Sequence, residues 1–178
     1  MRTFPLTLAA ALAATLLLTA CNDSENAADD GKNADRPGDA ACVLADLGVE
    51  VGAGAAPAAG DTGNVTVTLT NRGARCTLDG FPAVALAADD RTASVTAEQP
   101  AAAEPLTLVK GATTSFTITY VRGEADSARS LAVRKATFAL PGATSTTHEL
   151  AWSYGEVALK GEGGEPDASV SGFESAAG

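Results

Sequence analysis

Asn64-Val65-Thr66-Val67-Thr68-Leu69-Thr70 alternates strictly between apolar and polar residues. Successive side chains of an extended chain point to opposite faces, so Val65, Val67 and Leu69 share an inward face and the threonines look outward. β-Branched side chains suit such a half-buried pleat. Thr114-Ser115-Phe116-Thr117-Ile118-Thr119-Tyr120 repeats the scheme, with Phe116, Ile118 and Tyr120 on the core side. Shorter runs of the same kind extend outward from these two. They are Leu47 to Val51, Ala83 to Ala87, Ala93 to Ala97, Leu106 to Val109, Ala132 to Leu140 and His148 to Trp152, with Val157 to Lys160 as a last short edge.

Turn-forming clusters separate these runs, among them Asn71 to Gly73, Gly80 to Pro82, Gly123 to Ser127 and Pro141-Gly142. No stretch shows a convincing helical period. Short strands between turns predict an all-β fold: a single immunoglobulin-like antiparallel β-sandwich of seven or eight strands over residues 42–160.

Ahead of this domain, Arg2 and an apolar run from Leu6 to Leu18 form an export leader. The run is short for a spanning helix, which needs about 20 apolar residues. Leu18-Thr19-Ala20-Cys21 reads as a lipobox, so residues 1–20 are expected to be removed and Cys21 to carry lipid. A signal peptidase I site and an uncleaved anchor are the competing readings. Two or three acyl chains hold firmly where one is marginal. The expected location is therefore the extracytoplasmic face of the cell membrane. Residues 22–41 contain no large apolar side chain beyond alanine and read, with Cys21, as a disordered acidic tether. Residues 161–178 are again rich in Gly, Ser and acids and read as a flexible tail.

The formal net charge is −10, and loss of Arg2 with the leader makes the mature chain one unit more negative. Such a surface repels polyanions, so no nucleic-acid partner is expected. With Cys21 assigned to lipid, Cys42 and Cys76 remain as a pair, and an oxidising compartment favours their joining. A redox or metal pair is the rival reading, but there is no CxxC spacing and no nearby histidine.

Leu69-Thr70-Asn71-Arg72-Gly73-Ala74-Arg75-Cys76-Thr77-Leu78-Asp79-Gly80-Phe81-Pro82 is the most distinctive segment after the lipobox. It resembles a family of uncharacterised secreted and lipid-anchored actinobacterial domains of unknown function. Their pattern is a strand ending in Asn-x-Gly, then Cys-x-Leu-x-Gly-aromatic-Pro. Leu106-x-Leu-x-x-Gly111 resembles a second family feature, although Val109-Lys110 stands where a proline before the glycine is usual. The resemblance covers roughly residues 42–160. It implies an extracytoplasmic β-sandwich with Cys42 bridged to Cys76, and it carries no activity, ligand or catalytic residue.

Read physically, Asn71 and Gly73 tolerate positive φ and would reverse the chain after a strand. Phe81, held beside a proline, is expected to plug the core over the disulfide, or else to stand exposed on a binding loop. Trp152 is expected to be buried, with Tyr154 beside it as the possible edge of a groove. His148 is the only histidine; its neighbour Glu149 would face the other way, and it reads as a surface residue. Asp89-Asp90-Arg91 reads as a hairpin turn rather than a Ca²⁺ loop. No nucleophile or phosphate-loop motif is present.

These observations point to a lipid-anchored, non-enzymatic envelope module without cofactor or metal. It would be monomeric and would bind a cell-wall polymer or an exported protein through Phe81, Trp152 and Tyr154. A hydrolase with an unrecognised site and a metal or small-ligand carrier are the alternatives.

Overall fold

The two alternating segments form the longest strands and lie side by side. A computed structural model describes residues 40–98 and 104–175. Its strands in chain order are β1 (Leu47–Ala53), β2 (Thr62–Asn71), β3 (Cys76–Leu78), β4 (Ala83–Ala87), β5 (Thr92–Ser94), β6 (Thr96–Ala97) and β7 (Leu106–Leu108). There follow β8 (Thr113–Val121), β9 (Ser130–Leu131), β10 (Lys135–Ala139), β11 (Thr147–Ala151), β12 (Val157–Ala158), β13 (Ala168–Val170) and β14 (Glu174–Ser175). The one helical element among the described residues is a 3₁₀ turn, Leu44–Asp46. No helix there is long and apolar enough to cross a membrane.

β2 and β8 are antiparallel, in register from Thr62 opposite Val121 to Thr70 opposite Thr113. β1 flanks β2, while β13 and β14 share the other side of β8. A short parallel pairing of β13 with β6 ends this sheet. The second sheet runs β11-β10-β4-β5. Val65, Val67, Leu69, Phe116, Ile118 and Tyr120 from the first meet Val84, Leu86, Ala136, Phe138 and Leu150 from the second in one core. The Phe116 and Phe138 rings meet edge-on at 5.2 Å across the gap. Each large apolar side chain so buried contributes about 1.5–3 kcal/mol. The fold is all-β: the two larger sheets face each other across a shared apolar layer, and β3 with β7 and β9 with β12 form two further two-stranded pairs.

Several expected runs are interrupted. Ala93 to Ala97 divides at Val95, where the chain leaves the four-stranded sheet for the six-stranded one. The Val95 N–H still donates to Val84 O at 2.9 Å. Ala132 to Leu140 becomes extended only from Lys135. Strands β3, β9, β13 and β14 raise the number of segments above the expected seven or eight.

The reading of residues 161–178 as a flexible tail is corrected. Ala168 and Val170 of β13 are buried, and their strand pairs with Tyr120, Thr119 and Ile118. Thr114 Oγ1 donates to Glu174 O at 2.7 Å, and Thr117 N–H donates to Ser171 Oγ at 2.9 Å. A three-residue strand needs only two inward apolar side chains, and the surrounding glycines and acids mask them. The domain also begins earlier than residue 42, since Ala41 bridges Thr77. The leader, Cys21 and the tether as far as residue 39 lie outside the described residues.

Candidate functional site

The strands give the domain two ends. β10 runs from Lys135 to Ala139 and on to Pro141, which shares a depression with Ala41, Cys42 and Asp79. β8 begins beside Asn71, whose N–H donates to Ala112 O at 2.9 Å. The ends of these strands nearest Cys42 therefore lie together. Val121, Arg122, Arg134 and Trp152 gather at the other end.

At the first end Cys42 and Cys76 are joined, with Cα atoms 4.8 Å apart. Cys42 N–H donates to Thr77 O at 3.0 Å, and Thr77 N–H to Ala40 O at 2.9 Å. Asn71, 1% exposed, organises the adjacent loops. Its Nδ2 donates to Ala74 O at 2.8 Å and Leu108 O at 3.0 Å, and its Oδ1 accepts from Gly73 N–H at 2.9 Å.

Asn71 and Gly73 bend the chain after β2 as expected, without positive φ at either. Asn71 turns the chain by side-chain hydrogen bonding, as an Asx turn does. Gly73 is small because the Asp46 side chain packs where a Cβ would stand. At Gly111 the backbone does take φ +85°, and Ala112 N–H donates to Val109 O at 3.0 Å, closing a turn with no proline.

Phe81 does not plug the core. It is half-buried, with its ring over Gly172, and stands outside the apolar cluster. The kink at Gly80-Phe81-Pro82 aims it at the segment following β13. It lies at the disulfide end, whereas Trp152 and Tyr154 lie at the other. The three aromatics do not share a surface.

Trp152 is buried, as expected, at 8% exposure. It packs edge-on against Tyr120 at 5.1 Å and Tyr154 at 5.0 Å. Its Nε1–H donates to Gly155 O at 2.7 Å, and Tyr120 Oη–H donates to Tyr154 O at 2.9 Å. Burial pushes the Tyr120 phenol above its ordinary value, while the Arg122 guanidinium works in the opposite direction. Gly155, at φ +82°, leaves its missing side chain's place to that guanidinium. Arg122 Nη2 also pairs with Glu156 Oε2 at 3.3 Å. Arg122 Nε is buried without a partner among the described residues. Two hydrogen bonds and the Arg122–Glu156 ion pair thus tether the Ser153–Glu156 loop.

This loop forms one wall of a cleft of about 370 Å³. Trp152, Asp126, Ser127, Ser130, Arg134 and Glu156 line it. A second depression of about 320 Å³ shares Ser127 and Ser130 and reaches Arg122 and Arg129. Tyr154 lines neither. Asp126 holds φ 55°, the left-handed region that aspartate tolerates better than most residues. The lining offers hydroxyls, carboxylates and guanidinium groups, which suit a polar ligand bound by hydrogen bonds. Sequence reading missed Arg122, Asp126, Ser130 and Arg134. The turn cluster Gly123 to Ser127 was the available signal, and it registered only as a breaker.

His148 is half-buried rather than on the surface. It faces inward across from Phe138, ring centroids 5.4 Å apart. Glu149 points the other way, to Lys135 Nζ at 2.7 Å. Asp89-Asp90-Arg91 is a hairpin turn, closed by Ala88 N–H donating to Arg91 O at 2.8 Å. Arg91 Nη2 donates to Gly164 O, and Asp89 pairs with Arg134 at 3.5 Å. No group of three or more potential metal ligands occurs among the described residues.

Residues 42–174 match the family described as Domain of unknown function (DUF4232). No curated protein and no solved structure matches the chain.

Proposed function

We propose, for a chain that belongs to this family of domains of unknown function, the role of a lipid-anchored, non-enzymatic binding module of the actinobacterial cell envelope. In this reading Cys21 carries the lipid and residues 22–39 form the tether. The cleft between Asp126 and Glu156 then takes up a wall polymer or an exported protein.

One observation carries the reading. The chain joins the domain at Ala40–Cys42, stapled to β3, while the cleft opens at the opposite end of the strands. A domain held from its first end keeps the second clear of the tether. The contacts that tether the Ser153–Glu156 loop add support, because a wall preorganised by them loses little entropy on binding. The hydroxyls of Ser127 and Ser130 serve such a role as hydrogen-bonding groups. The sole imidazole packs against Phe138 of the neighbouring strand and does not line the cleft.

The test uses the full chain. Cys21→Ser should move the protein from membrane to medium. Purified cell-wall sacculi and exported proteins are then offered to the wild-type chain and to Ser130→Trp and Asp126→Lys, which fill or recharge the cleft. Saturable binding lost in both variants is expected. Equal binding by all three chains would overturn the assignment of the cleft.

A further inference from the structure

β1 is the outermost strand of the six-stranded sheet, and among the described residues nothing pairs with its free side. Arg72 N–H donates to Asp46 O at 2.8 Å, immediately beyond the pairing of Leu47 with Asn71. Residues 46 and 72 are therefore a hydrogen-bonded pair. The alternation of an antiparallel ladder then turns the N–H and C=O groups of Gly48, Glu50 and Gly52 toward β2. Those of Val49 and Val51 point outward, without a partner among the described residues. So does the Leu47 carbonyl, although the Leu47 N–H already donates to Leu44 O.

Natural edge strands are guarded by proline, lysine, bulges or short length. β1 is seven residues long, with Glu50 as its one charge and Val51 40% exposed.

We propose that β1 pairs with β1 of a second copy of this chain, antiparallel, about a two-fold axis at Val49. Val49 then faces Val49, Val51 faces Leu47, and Glu50 faces Gly48. Val51 gains an apolar neighbour on the inner face of the sheet. On the outer face the Arg72 guanidinium occupies the place of a Cβ at Gly48. Glu50 of each copy is thereby brought against Arg72 of the other. The position is a non-hydrogen-bonded pair, whose Cα atoms approach to about 4.5 Å.

Charge selects this register. An axis at Glu50 would oppose two carboxylates. An axis at Val51 would set Glu50 against Gly52, which has no atom near its Cβ position and so no cation. In place of the expected monomer this gives a symmetric dimer whose two Ala40 ends lie at opposite ends of the paired strands, so that the tethers would seat it with the strands along the membrane and a cleft at each side.

The experiment uses the full chain in isolated membranes under mild oxidation, with the parent chain setting the background from Cys21. Val49→Cys should form a disulfide-linked homodimer about tenfold above that background, because opposed Cα atoms about 5.5 Å apart lie within bridging range. Val51→Cys should stay at background. With Val49→Cys as reporter, Glu50→Arg should lower the dimer yield about fivefold, as expected for two exposed ion pairs lost together. Adding Arg72→Glu should restore it. Mass spectrometry of the Cys42–Cys76 peptide reports that each variant is folded. No cross-link at 49, a stronger one at 51, indifference to Glu50→Arg, or cross-linking to a different protein would each overturn the proposal.

Discussion

Asn71 Nδ2 donates to the carbonyl of Leu108 at 3.0 Å, tying the last residue of β2 to the last residue of β7. The same amide bonds Ala74 O and accepts from Gly73 N–H, so both its N–H donors and its oxygen are engaged inside the protein. Asn71→Ala leaves two carbonyls and an N–H unpaired in a dry site. A loss of about 2–4 kcal/mol is expected, to be read from urea denaturation. Asn71→Asp should be at least as damaging, because a carboxylate cannot donate to the two carbonyls. Stability equal to wild type would show that water replaces the amide.

The disulfide closes the segment holding β1 and β2. By loop-closure entropy, Cys42→Ser with Cys76→Ser should cost about 4 kcal/mol. The unreduced protein should give a linked Cys42–Cys76 peptide by mass spectrometry, and two alkylated thiols would refute the bridge.

Truncation after Lys160 removes β13 and β14 and uncovers one side of β8. The lost burial of Ala168, Val170 and Phe173, with the lost ladder bonds, is expected to cost about 3–5 kcal/mol. Lower solubility and an earlier unfolding midpoint should follow. A truncated chain as stable as the full one would restore the flexible-tail reading.

Tyr120 links stability to alkaline pH. Its phenol is raised above 10.0 by burial in the folded protein. Below the unfolded value both states are neutral and the contribution is complete. As pH rises from there through the folded value, the unfolded chain ionises first and stability falls. Tyr120→Phe should flatten this decline, while losing about 1 kcal/mol at neutral pH with the bond to Tyr154 O. Denaturation midpoints between pH 8 and 11, a window set around the ordinary phenol value of about 10, would measure both effects. An unchanged slope in the variant would exclude Tyr120 as the source.

What the sequence disclosed follows from how locally each feature is encoded. β2 and β8 were legible because Val65 to Leu69 and Phe116 to Tyr120 carry the period themselves. The burial of Trp152 and the pairing of Cys42 with Cys76 needed only residue type and count. β13 was hidden because Ala168 and Val170 become a strand only when β8 supplies the partner. Asn71 announced a turn, but its hydrogen bond to Leu108 spans a loop no local pattern encodes. The cleft was the least legible, since Asp126, Ser130, Arg134 and Glu156 are brought together by topology alone. Phe81 was misplaced for a related reason: Gly172, over which it lies, belongs to the segment read as a tail.

The bridge from Cys42 to Cys76 also decides how the domain bears load. β1 and β2 lie entirely within the covalent ring it closes. A pull arriving along the chain through Ala40 crosses the sulfurs to β3 without passing through either strand. Whatever grips the far end of the domain, the stretch of chain most easily peeled from an N-terminus is off the line of force. Pulled from Ala40, the sandwich is not unzipped from its first strand.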